Sequence, residues 1–321
     1  MTQLLAKVKS LINQDDLYII FLNGNVIENN INSNIKINKS TSNLMDPKIS
    51  NEQNFIHIAI SQDTKLKIFH IINEEGSFTQ EIEVTNQNNI TIYEYLLNTT
   101  KCSFNSNLIA SNNSTINYFS IKEGLSNSPL DYKIVSYLFN DSKITLHNLN
   151  ANRNVVNEYI GGELLQSGSE YYVYAVDINT SQDKHQLDAV AHHKCGNSLS
   201  RFTCFGMVNN NSHSVINTNG FIYKHASMSD MNHKIKGIIL DPKSTITANP
   251  ILEIDDFDVV AGHGASVGDI SQEDIYYLMS RGLTYEESRK LILSSLISPI
   301  LDGFDDQLIN NFVLEIVNNN I

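Results

Sequence analysis

Asn89-Ile90-Thr91-Ile92, Ser114-Thr115-Ile116-Asn117 and Lys143-Ile144-Thr145-Leu146 are three versions of one phrase, a polar turn running into a β-branched strand start. The isoleucines at 90, 116 and 144 are 26 and then 28 residues apart, within the range of one solenoid coil. Each coil of a solenoid buries its apolar face only against its neighbours, so a phrase that returns once per coil is what such a fold demands. An antiparallel sandwich also spaces its strands regularly, but it relies on tight glycine-bearing hairpins, and the whole 321-residue chain holds 15 glycines. The phrase predicts a mainly β chain built as a solenoid.

Further strands are expected at residues 55–60, 65–72 and 80–84, and helical periodicity is almost absent from 55 to 260. Residues 39–53 lack apolar periodicity and are crowded with Asn, Ser, Asp and Pro47, which reads as a linker with a domain boundary near residue 50. Ahead of it, Leu17-Tyr18-Ile19-Ile20-Phe21-Leu22 followed by Asn23-Gly24-Asn25 is a strand entering a hairpin turn, within a small β unit spanning 16–40. Leu4, Leu5, Val8, Leu11 and Ile12 fall at helical spacing, and Lys7 and Lys9 interrupt what would have to be a continuous apolar core in an export signal.

Helices return at Ser271-Gln272-Glu273-Asp274, a capping box with Asp in place of Glu. Ile275, Leu278 and Met279 form its apolar stripe, and Gly282 supplies the left-handed cap. A second box, Thr284-Tyr285-Glu286-Glu287, opens a helix with Leu291, Ile292 and Leu296 at core spacing and Pro299 as its expected stop; a third helix is expected over 305–317. The chain divides on this reading into 1–50, a small helix plus β unit; 51–268, the β core; and 269–321, a helical domain.

With 22 basic against 35 acidic residues the net charge is −13, which repels a phosphate backbone and argues against nucleic acid as partner. Hydrophobic residues at 41% suffice for a buried core, and no stretch approaches the ~20 apolar residues needed to span a bilayer. Asn and Ile abound, a pattern that reads as codon bias. Three irregularly placed cysteines, Cys102, Cys195 and Cys204, fit a reducing compartment, the cytoplasm being the expectation. A plastid-type organelle is the alternative if a targeting segment is absent from this chain.

Three constellations could carry chemistry. His185, His192, His193, Cys195 and Cys204 combine imidazole and thiol donors suited to zinc, and His193 and Cys195 would share one face of a strand, although no paired spacing completes a tetrahedral set. Asp255, Asp256 and Asp258 offer carboxylates for acid–base or glycosidic chemistry, with Asp256 and Asp258 on one strand face. Ala261-Gly262-His263-Gly264-Ala265-Ser266-Val267-Gly268 reads locally as a tight glycine turn that leaves one imidazole unshielded. No Walker-type loop and no Gly-x-Ser-x-Gly elbow occurs, and no motif supports a flavin site. An assembly scaffold, a polysaccharide-processing solenoid enzyme using Asp256 and Asp258, and a structural metal-binding module all stand at this point.

The run Asn249-Pro250-Ile251-Leu252-Glu253-Ile254, the aspartates after it and Gly262-His263-Gly264-Ala265-Ser266-Val267-Gly268 together resemble the signature of the SufB/SufD family, in its SufD branch. Ile275-Tyr276-Tyr277-Leu278-Met279-Ser280-Arg281-Gly282 is similar to that family's helix end, with weaker similarity in His193 to Arg201 and in Asn219-Gly220-Phe221-Ile222. The resemblance implies a right-handed parallel β-helix and a non-catalytic scaffold of SUF iron–sulfur cluster assembly. That scaffold would pair with a SufB-like subunit and dock a SufC-like ATPase, with a cysteine desulfurase system acting indirectly. It places His263 at the shared subunit interface as a cluster-assembly residue and metal ligand shared with the partner, flanked by Val259, Ala261, Gly262, Gly264 and Ala265. Tyr276, Tyr277, Arg281, Tyr285 and Leu291 become candidates for docking the ATPase. No cofactor is expected to stay bound to the chain alone, only a transient iron–sulfur cluster in the complex. Two departures are informative. Ile254 stands where SufB-type chains carry a cysteine, and Ala261 where many SufD-type chains do.

Overall fold

The computed structural model describes residues 2–39, 55–124, 128–180, 183–301, 303 and 305–320. Helix α1 (Thr2–Lys9) is followed by β1 (Tyr18–Leu22), β2 (Asn25–Asn30) and β3 (Ile35–Asn38), then by β4 (Phe55–Ile60), β5 (Thr64–Ile72), β6 (Gly76–Val84), β7 (Asn89–Asn98), β8 (Cys102–Ala110) and β9 (Thr115–Gly124). Next come β10 (Leu130–Leu138), β11 (Lys143–Asn150), β12 (Val155–Leu164), β13 (Glu170–Asn179), β14 (Lys184–His193) and β15 (Leu199–Val208). The last strands are β16 (His213–Ile222), β17 (Asp230–Ile239), β18 (Thr245–Ile254) and β19 (Val260–Gly268), followed by α2 (Gln272–Ser280), α3 (Tyr285–Leu301) and α4 (Gln307–Asn320).

From β4 onward the chain alternates between two sheets, so odd-numbered strands stack parallel in one and even-numbered strands in the other. This is a β-solenoid. The repeated phrase is its register: Ile90 pairs with Ile116, and Ile116 with Ile144, all three fully buried between the sheets. The N-terminal strands extend the same stack, β1 pairing parallel with β5 and β3 antiparallel with β4. The β1–β2 hairpin turns at Asn23 and Gly24, both at positive φ. The expected linker at 39–53 lies, apart from Lys39, outside the described residues.

Six successive corners leading from the second sheet back to the first carry a left-handed residue: Gln87, Asn113, Asp141, Gly168, Asn197 and Met228, with φ between 51° and 75°. Each donates its N–H to a carbonyl one coil further on, on Asn112, Asn140, Ser167, Asn197, Ser227 and Asp258 respectively. Asn and Asp tolerate this conformation because a short side chain can bond locally. Asn113 and Asn197 thus have a structural place at the corners. Met228 is the one apolar residue in the series, and its Cβ, without a polar side chain to bond locally, makes this conformation cost about 1–2 kcal/mol relative to glycine.

Two cores result. The lumen is filled by alternate residues of both sheets. The outer face of the first sheet, with Phe69, Tyr95, Phe119, Val176 and Phe205, is covered by α1 and the C-terminal helices through Val8, Ile275, Leu293, Ile309, Phe312 and Val313. Ser271 caps α2 by accepting from the Asp274 N–H, Gly282 follows it at φ +99°, and Thr284 and Glu287 form the reciprocal box at α3. Helix α3 continues to Leu301, past Pro299, so that proline does not stop it.

The lumen is not wholly apolar. Gln80 Nε2 donates to Glu94, to Ser106 Oγ at 3.0 Å and to Tyr118 Oη at 3.2 Å, while Tyr132 Oη donates to Glu94 Oε2 at 3.0 Å. Lys122 lies 2.7 Å from Glu158, both within 1% of complete burial, and it also donates to Asn148 and sits 4.3 Å over the Tyr132 ring. Deeper in the stack Asp177 bonds His185 at 2.6 Å and accepts from Asn150 and Ser214.

Candidate functional site at the open end of the solenoid

The solenoid ends on β18 and β19, the edge strands of their sheets. Thr245 and Asp255 donate their N–H groups back to Ser212 and Ile222, so odd positions of β18 face β16 and even positions face outward. Pro250 falls in the outward set, the one place in a strand where a missing N–H breaks no ladder bond. Val260 N–H bonds Ser229, so on β19 the groups of residues 261, 263, 265 and 267 face outward. Both edges therefore present unpaired backbone at the same end, a template for another strand.

Residues 260–268 form a strand in register with β17, correcting the turn expected for this glycine-rich run. Gly and Ala lower strand propensity, and pairing with β17 overrides it. His263 stands in register with His233, which pairs with Phe202, and both of those are buried in the lumen; its imidazole is therefore on the lumen side of an exposed last coil. Beneath it the His233 ring lies flat on Phe202, centroids 4.1 Å apart. Ser200 bridges His233 and His193, at 3.4 and 2.8 Å, and Ser198 meets the other nitrogen of His193 at 2.7 Å. Burial depresses His233 to about 3 and His193 to about 4, so both are neutral near pH 7. The mouth around His263 is apolar, with Ile246, Ala248, Leu252 and Ala261 half-buried. A Cβ added at Gly264 or Gly268 would meet nothing within 4 Å, which leaves room for an approaching chain.

Asp255, Asp256 and Asp258 lie in the loop between β18 and β19 rather than on one strand face. Asp256 accepts from the backbone N–H groups of His225 and Asp258 and from the Ser227 hydroxyl, and these bonds, that of Asp258 foremost, hold its carboxyl below the usual range. It is occupied in fastening two corner loops together. Sequence reasoning passed over Phe257, which this loop holds wholly exposed at 105%. A phenylalanine ringed by aspartates was the available signal.

The five His and Cys side chains do not gather. His185 bonds Asp177, His192 stacks on Phe221 with its Nδ1 3.0 Å from Tyr223 Oη, and His193 is held by serines. Strand β14 ends at His193, so Cys195 lies in the following corner, not on the same strand face. Burial pushes the Cys204 thiol up to about 12, an unreactive state. Among the described residues no three His, Cys, Asp or Glu side chains converge on a metal-sized site.

On the C-terminal helices Tyr276, Tyr277, Tyr285 and Leu291 are exposed, and Arg281 donates to Tyr277 Oη at 3.2 Å while lying 5.2 Å over that ring. The inward face of α2 is anchored by Ile275.

Residues 70–296 match the sequence model described as SUF system FeS cluster assembly, SufBD core domain. The chain belongs to that SufBD family. Its similarity is to SufD: the Bacillus subtilis iron–sulfur cluster assembly protein SufD is 36% identical over 110 residues, 33% of this chain and 25% of that protein. SufD of Plasmodium falciparum is 28% identical over 202 residues, 61% of this chain and 12% of that protein. The chloroplastic protein ABCI7 of Arabidopsis thaliana is 24% identical over 119 residues, 37% of this chain and 25% of its own length. The chain thus aligns with a quarter or less of these curated relatives. The parallel solenoid agrees with the architecture that the SufD resemblance implied. Among the described residues of this SufBD chain, no helix is long and apolar enough to cross a membrane.

Proposed function

We propose that this SufD-like chain is a non-catalytic scaffold that pairs, through β18 and β19, with a SufB-like subunit and docks a SufC-like ATPase on its C-terminal helices. The observation that carries the reading is the open end: two unpaired strand edges, an apolar mouth and one exposed imidazole at the same place. His263 would serve a nascent iron–sulfur cluster as one ligand, the others coming from the partner, since Ile254 and Ala261 offer no thiol. The cluster is cargo, made and passed on, and the chain alone holds no cofactor. The exposed tyrosines with Arg281 and Leu291 suit the ATPase contact, because aromatic and arginine side chains dominate protein interfaces. Three free thiols and the chloroplastic relative support a reducing compartment, cytoplasm or plastid.

The test is co-purification of the full chain with SufB-like and SufC-like subunits, then iron and sulfide loading. His263→Ala should leave the melting temperature and the assembly unchanged while lowering loading at least tenfold; normal loading in that complex would remove His263 from the site. Tyr276→Ala/Tyr277→Ala should release the ATPase but retain the SufB-like partner. Failure of the unaltered chain to bind either subunit would overturn the scaffold reading.

A further inference from the structure

One corner of the open end is built for more than edge pairing. Phe257 projects fully into solvent from a loop of few residues, yet that loop is fastened: Asp256 accepts from three donors, the N–H groups of His225 and Asp258 and the Ser227 hydroxyl, and the Asp258 carbonyl accepts the Met228 N–H at 2.6 Å. Met228 is 68% exposed and occupies a left-handed position that the five preceding coils fill with Gln, Asn, Asp, Gly and Asn. A strained, exposed, apolar residue where the fold favours a small polar one points to use elsewhere. Val260 and Ile254, at the facing ends of the two edge strands, extend the same exposed apolar surface. Glu253, Asp255 and Asp258 are exposed beside it along the chain, with Lys224 and His225 exposed on the adjoining corner, so the rim is acidic on balance.

We infer that Phe257 and Met228 are the anchor of the subunit interface, entering an apolar pocket rimmed by Lys or Arg on the partner solenoid subunit. The inference rests on the proposed pairing of solenoid ends and adds the residues that secure it. Charge complementarity selects the occupant. A second copy meeting this end would bring Glu253, Asp255 and Asp258 against the same carboxylates, whereas a basic-rimmed partner neutralises them. A rigidly held aromatic at the edge of unpaired strands loses little freedom on binding, which is the property of an interface hot spot. Asp256 acts as a positioning residue, fixing the loop that carries Phe257.

The experiment is a binding titration between the full chain and the SufB-like subunit of the same organism at several salt concentrations, with analytical ultracentrifugation of each chain alone. Phe257→Ala should weaken binding at least tenfold with no change in melting temperature. Met228→Asn should raise the melting temperature and weaken binding severalfold. Asp255→Asn/Asp258→Asn should flatten the salt dependence, and Asp256→Ala should weaken binding in the parent but add nothing in Phe257→Ala. If the unaltered chain binds and Phe257→Ala binds within twofold of it, the anchor is overturned while the pairing reading survives. If the unaltered chain does not bind, both fall. If the isolated chain is a dimer that Phe257→Ala dissolves, the occupant is a second copy and the assigned partner is wrong.

Discussion

Glu158→Ala is expected to destabilise the chain by about 3–5 kcal/mol, the usual cost of breaking a buried ion pair by removing one member. Lys122 would be left charged inside the lumen, with Asn148, Ser120 and the face of Tyr132 as its remaining partners. Those groups satisfy donors but do not neutralise the charge. Replacing both members, as Lys122→Met/Glu158→Leu, should recover most of the loss, since an apolar pair of similar size avoids desolvating two ions. Urea denaturation of the parent and the two variants separates the contributions. A single variant within 1 kcal/mol of the parent would mean that water reaches the lumen at this coil.

The second large effect is a pH dependence carried by His193. Its folded proton affinity is depressed to about 4 by burial, with Arg201 and His192 acting in the same sense and Asp230 opposing. Unfolded, it titrates near 6.5. Between these values the unfolded chain binds the proton and the folded chain does not, so stability rises with pH through this window and falls as pH drops from 6.5 toward 4. Each tenfold difference in proton affinity is worth about 1.4 kcal/mol, which makes the His193 contribution roughly 3 kcal/mol across the window. Glu81, raised to about 7 by burial and by Glu83, and His185, raised by Asp177 against its own burial, have the opposite slope. The measurement is therefore a difference: stability against pH for the parent and for His193→Gln. The variant should lose slope between pH 4 and 6.5 whatever its absolute stability. Parallel curves would show that His193 is protonated in the fold or reached by solvent.

The coil register was legible because Ile90, Ile116 and Ile144 mark the same place in successive coils, and the helix ends were legible because Ser271, Thr284 and Gly282 act within a few residues of themselves. What stayed hidden depends on stacking. Lys122 and Glu158 are far apart in the chain and meet only once coils are superposed, so neither looked different from a surface charge. The run 261–268 looked like a turn because Gly and Ala favour strands weakly, and only the ladder to β17 makes them one. Asp256 resembled a catalytic carboxylate because its spacing to Asp258 cannot tell a strand from a corner. The His/Cys group failed for a related reason: His185 and His193 stand at opposite ends of the extended strand β14, His192 faces the other way, and Cys204 belongs to the other sheet.

The row of left-handed corners gives the molecule a further property. Because each corner is stitched to the next in the same way, coils are interchangeable units of length, each advancing the stack by about 4.8 Å. The solenoid is then a ruler. Excising one whole coil between matching corners, such as Asn113 and Asp141, would draw the end that bears His263 toward the N-terminal hairpin by that single step. In any assembly where one end meets a partner and the flank meets another, the number of coils sets the distance between the two.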